Sequence, residues 1–119
     1  MSVAEATTAL DLSVLLGDWH NTNPAAGIAR IIIEPNGDGR VRVHCSSGVR
    51  DWGTVLAPVF AFDFDSDTAG AFFAVYDFDF AQVRMQANVK QGVLVVATFN
   101  AFKDDSGRSN YFNREFFYR

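Results

Sequence analysis

Gly17-Asp18-Trp19-His20-Asn21-Thr22 is the stretch that decides the fold. Just upstream, Leu10 and Val14 are one turn apart, and Leu15 and Leu16 follow them. That spacing predicts a short helix, capped by Thr8 or Asp11 and stopped by Gly17. Downstream the apolar period changes to two and stays there. A glycine, any residue, then tryptophan at this changeover predicts the first strand of a small barrel that closes over its own interior. Residues 1–7 are small and polar, so 1–16 reads as a tail plus the short helix.

Working outward, eight strand-like segments are separated by turn signals. They cover 17–21, 28–34, 40–46, 54–64, 71–80, 83–89, 93–102 and 111–118. Pro35-Asn36-Gly37-Asp38-Gly39 carries Asn-Gly and Asp-Gly between two strands, a strong hairpin signal. The return strand alternates cleanly, with Val41, Val43 and Cys45 on one face and Arg40, Arg42 and His44 on the other. Pro58 lies inside the fourth segment and predicts a bend or an edge there. In the fifth, Phe72, Ala74, Tyr76, Phe78 and Phe80 share a face. Sequential turns without crossover helices imply an all-β, antiparallel, up-and-down arrangement. Closing it into an eight-stranded barrel removes exposed edges, and a β-sandwich is the alternative.

A chain of 119 residues is read as one domain, 1–119, long enough to bury a core without staples. Twelve phenylalanines demand either a large core or a cavity lined with rings. The net charge of −4 and the lack of a basic run argue against nucleic acid as a partner. No apolar run approaches the roughly 20 residues of a membrane-spanning helix, and no signal peptide is visible. Cys45 is the single cysteine, so no intrachain disulfide forms, and a reducing cytoplasm is the simplest compartment.

Gly17-x-Trp19-x-Asn21 after a short helical lead-in resembles the calycin-type barrels: lipocalins, fatty-acid-binding proteins and avidins. The resemblance implies a barrel with a ligand cavity. It does not carry biotin over, because the loop Asn23-Pro24-Ala25-Ala26 lacks the serine-rich lid of avidins. The chain also resembles a set of small bacterial domains through four stretches. These are Trp19-x-Asn21-Thr22, Gly27-Ile28-x-Arg30-Ile31, Asp51-Trp52-Gly53 and Ser106-Gly107-Arg108-x-Asn110-Tyr111. Barrels of similar build include cofactor-free cyclases and isomerases, an analogy at the level of fold alone.

Candidate functional residues follow from residue type. Trp19 is either a cavity wall or a plug at one barrel end, and Trp52, between a charge and a glycine, is a wall candidate. Tyr76 and Tyr111 are polar handles among rings. Arg30, Arg42, His44, Arg84, Gln86 and Asn88 either face solvent or line a polar patch that grips an anion or carbonyl. His44 and Cys45 point to opposite faces and cannot form a nucleophile pair. His20, His44 and Cys45 show no metal-ligand spacing, and Asp63, Asp65 and Asp67 lack the rest of a calcium loop. Phe72-Phe73 and Phe116-Phe117 must each send one ring outward, which suggests a homo-oligomer contact.

The expectation is therefore a barrel holding an apolar or aromatic small molecule, with Trp19, Trp52, Tyr76 and Tyr111 as ligand-binding residues. No cofactor and no metal are expected. A cofactor-independent cyclase or isomerase is the alternative, with Tyr76, His44 and Arg30 as candidate catalytic groups. An oligomeric interaction module is the third reading.

Overall fold

The computed structural model describes residues 9–119; Thr8 and the tail before it lie outside the described residues. Nine strands form one antiparallel sheet: β1 (Gly17–Asn21), β2 (Arg30–Pro35), β3 (Val41–Ser46), β4 (Asp51–Ala57), β5 (Val59–Ala61), β6 (Ala69–Asp77), β7 (Ala81–Lys90), β8 (Val93–Phe102) and β9 (Tyr111–Tyr118). Their order across the sheet is β4-β3-β2-β1-β9-β8-β7-β6-β5. Every strand pairs antiparallel with its neighbours, and the sheet curls into a nearly closed barrel.

Two features differ from the eight-stranded barrel with a short helix. First, Pro58 splits the expected fourth strand. Proline has no N–H to give to a ladder, so the chain leaves β3 at Ala57 and joins β6 from Val59 onward. The two halves, β4 and β5, hold the opposite ends of the sheet and bring them together. Second, no helix forms among the described residues. Leu15 N–H and Leu16 N–H both bond the Leu12 carbonyl, a single turn. Asp11 is already committed to a parallel bridge with Thr68, and β1 begins at Gly17. Too few residues remain between these fixed points to offset the cost of helix nucleation.

Alternation decides the core. Ile31 and Ile33, Val41, Val43 and Cys45, Phe72, Ala74 and Tyr76, Val83 and Met85, Leu94 and Val96 all face inward. Phe73 and Phe116 turn outward from their buried neighbours, as the paired rings require.

One barrel end is closed. The turn at Leu12–Leu15 lies across it, and Trp19 is completely buried beneath, donating its indole N–H to the Leu15 carbonyl at 2.9 Å. The Arg119 guanidinium sits 4.5 Å above the Trp19 ring and donates to the Ser13 and Leu16 carbonyls. The other end is open. β1 is short and pairs β9 only at His20–Tyr118 and Asn21–Phe117, so the first half of β9 has no strand on that side. Asn21 shapes this gap: its Nδ2 donates to the Ile28 carbonyl at 2.8 Å and its Oδ1 accepts the Asn23 N–H.

Candidate functional site at the open end of the barrel

The open end is organised by an irregularity in the β3–β4 hairpin. Cys45 lies opposite Gly53 and Ser46 opposite Asp51, which leaves Trp52 as the extra residue of a β-bulge. Bulges redirect side chains and are common beside binding sites. Gly53 has φ of +82°, a conformation that costs a residue with a Cβ. The Asp51 carboxylate fixes the turn. One of its oxygens accepts the Gly53 N–H at 2.8 Å and contacts His44 Nε2 at 2.6 Å. These bonds, the Gly53 amide first, hold the Asp51 carboxyl below its ordinary pKa.

The bulge leaves backbone groups that β3 and β4 cannot pair with each other, and Its hydroxyl lies 2.7 Å from the Gly53 carbonyl and 2.9 Å from the Val43 carbonyl, and accepts the Cys45 N–H at 3.2 Å. Burial raises the Tyr76 pKa above that of a free phenol. The hydroxyl is occupied by structure and has no vacancy for a substrate carbonyl.

Trp52 therefore turns toward the open end. Its indole stands edge-on to Tyr76 at 5.4 Å and to Phe78 at 5.5 Å. Tyr76, Phe78 and Phe80 continue as a stack, with centroids 5.7 and 5.6 Å apart. Two guanidiniums lie on this stack. Arg50 is 5.1 Å from the Phe78 centroid and 4.8 Å from that of Phe80; Arg108 is 5.7 Å from Phe80 and 4.1 Å from Phe102. Tyr111 closes the ring of aromatics, 6.1 Å from Phe102.

These groups surround a cleft of about 290 Å³. Asn100 lies in its wall and is only 6 % exposed. Its Nδ2 donates to Thr98 Oγ1 and to the Tyr111 carbonyl. A narrower extension of about 80 Å³ runs between Trp52 and Ile28 on one side and Thr98, Asn113 and Glu115 on the other. Below that the barrel is filled by side chains. A larger depression, about 390 Å³, lies on the outer surface of β7–β9 beside Phe99 and Phe112. It is a shallow trough among exposed side chains, without facing walls, and suits a ligand less well than the cleft.

The sequence-derived candidates fall in different places. Trp52 and Tyr76 meet in the cleft wall, and Tyr111 stands on its rim. Trp19 is at the opposite, closed end. Arg30 points outward and forks onto Asp18 at 2.7 and 2.6 Å, lowering the Asp18 pKa. His44 is on the outer face of β3 with Asp51. Arg50, Arg108 and Asn100 were not singled out by type and spacing. A signal for two of them was nonetheless present. The stretches at Asp51-Trp52-Gly53, Ser106-Gly107-Arg108 and Gly27-Ile28 are far apart in the chain and converge on this one end.

Cys45 is completely buried, and burial pushes its thiol up to about 12. The folded thiol stays protonated while an unfolded one ionises near its model value of 9.0. The unfolded state then binds fewer protons, so stability falls as pH rises from 9.0 toward 12. Thiol labelling at pH 8 should be slow until denaturant is added, and Cys45→Ala should flatten the alkaline limb of the stability profile. Rapid labelling of the native protein would contradict this placement.

The fold and site together define a nearly closed antiparallel β-barrel, plugged at one end and open at the other over an aromatic cleft topped by two arginines. No protein-family model, curated protein or solved structure matches the chain. Among the described residues, no helix is long and apolar enough to cross a membrane, and no group of three or more His, Cys, Asp or Glu residues is placed to hold a metal.

Proposed function

We propose that this protein is a small-molecule-binding barrel whose ligand is an aromatic or apolar compound held in the open end against Trp52. The bulge at Trp52 is the observation that carries the reading. A glycine in a strained conformation, a fixed carboxylate and a buried tyrosine hydroxyl all serve to hold one indole over a cleft. An ordinary hairpin would have buried no fewer apolar atoms without them. The calycin-like feature is then the plan of a meander closed at one end and open at the other. The ligand sits at the mouth, because the deeper barrel is already packed. The cleft is near the lower limit for ligand pockets, which favours a compact ligand of one or two rings. The cyclase or isomerase alternative has less support, since the Tyr76 hydroxyl is locked to backbone and Arg30 and His44 lie on the outer face.

The test is an NMR titration with indole and with naphthalene derivatives. The reading expects saturable shifts at Gly27, Trp52, Asn100 and Tyr111, and at least a tenfold weaker response in Trp52→Ala, about the loss expected from removing one large ring contact. No saturable shift at these residues, or unchanged binding by a folded Trp52→Ala protein, would refute it.

A further inference from the structure

We infer that the cleft selects an aromatic carboxylate, with Arg50 and Arg108 holding the carboxylate while the rings lie against Trp52 and the Phe78–Phe80 stack. This rests on the proposed binding site and specifies its ligand class.

The charge of the cleft is opposite to that of the chain. The protein carries −4 overall, yet the charged residues lining the cleft are Arg50 and Arg108, with no carboxylate among them. Both guanidiniums flank one ring, Phe80, from 4.8 and 5.7 Å. A guanidinium above a ring uses its face for the cation–π contact and keeps its N–H edge for a planar acceptor. A carboxylate matches that edge with two oxygens.

Both arginines are held in place by their loops. Ser47 Oγ accepts the Arg50 N–H at 2.9 Å and the Val49 N–H at 3.3 Å, which fixes the tight β3–β4 turn. The Arg50 guanidinium bonds no described residue. Arg108 is tied on one side only. Its Nε donates to Ser106 Oγ at 2.9 Å and its Nη2 to Asp104 at 2.8 Å, leaving Nη1 without a described acceptor. Asn110 Oδ1 accepts the Phe102 N–H and sets the register of that loop. Two further polar atoms face the same space. Trp52 Nε1–H has no described acceptor, and Asn100 Oδ1 has no described donor in a side chain 94 % buried, given its 6 % exposure. A ring bearing a carboxylate at one end and an N–H or O–H donor at the other would satisfy all of these groups.

The test compares 2-naphthoate with the neutral 2-naphthamide, read by tryptophan fluorescence and by shifts at Trp52 and Tyr111. We expect naphthoate to bind at least tenfold more tightly. Its affinity should fall severalfold between low and high salt, whereas that of naphthamide should not change. Arg50→Gln and Arg108→Gln should each weaken naphthoate several-fold and together abolish the preference, with naphthamide binding retained. If a glutamine variant does not fold, Arg50→Lys and Arg108→Lys keep the charge but lose the planar fork, and should retain only part of the preference. Equal binding of both probes, insensitive to salt and to the arginines, would overturn the carboxylate assignment and leave the aromatic site standing. Failure of both probes to reach Trp52 would overturn both.

Discussion

Trp19→Ala should destabilise the protein by about 3–5 kcal/mol, the range for truncating a fully buried large aromatic. In a domain of this size that lowers Tm by roughly 10–20 °C. Trp19 has no exposed surface, and Leu15, the residue it bonds, has none either. Removing the indole opens a cavity under the N-terminal turn, strands the Leu15 carbonyl and takes away the ring beneath Arg119. Trp19→Phe separates these losses. It keeps much of the volume, drops only the N–H, and should cost less than half as much. Urea denaturation measures both. A loss below about 1 kcal/mol for Trp19→Ala would mean that this end collapses readily and is no plug. Ligand affinity of the folded variant should be unchanged, because Trp19 lies at the end remote from the cleft.

Tyr76→Phe should cost about 2–3 kcal/mol although it removes a single oxygen. One hydroxyl serves three backbone groups, the Gly53 and Val43 carbonyls and the Cys45 N–H. Each buried polar group left without a partner costs about 1–3 kcal/mol, and some relief comes from water entering beside the half-buried Trp52. The same change should loosen the bulge and broaden the Trp52 signals, weakening ligand binding several-fold. A typical surface tyrosine would show neither effect. If Tyr76→Phe unfolds with wild-type stability, the hydroxyl is not what holds the bulge together.

Much of the fold is legible in the chain. Strict alternation in β3 and in β6 sorts inward from outward residues, and the Asn-Gly and Asp-Gly turn marks the β2–β3 hairpin. β8 and β9 can be bounded from turn residues alone. Pro58 announces a break, but its consequence is tertiary: the chain changes partners there, from β3 to β6. The helix expected around Leu10–Leu16 shows the opposite limit. Its cap and spacing are real, and Asp11 Oδ1 does accept the Ser13 N–H. A bridge to Thr68 nevertheless holds the segment extended at its start.

The site is less legible, for a geometric reason. Alternation separates two faces of a strand but does not say which part of the inner face stays open. Phe78 and Phe80 look like a continuation of the β6 core row. They lie beyond its last residue, Asp77, and so reach the mouth. Asn100 has the inward parity of Leu94 and Val96 on β8 and becomes a cleft residue only because β1 ends early. Arg50 and Arg108 sit in loops, where no period assigns a direction. Trp52 was visible as unusual between Asp51 and Gly53, but a bulge depends on the register of two strands and is not written in either one alone.

The central claim is that the ligand lies in the open end against Trp52. Intermolecular NOEs between bound 2-naphthoate and the protein test it most directly. The structure predicts contacts to the Trp52 indole, to Phe78 and to Tyr111, and none to Trp19. Contacts confined to Phe99 and Phe112 on the outer surface would contradict it.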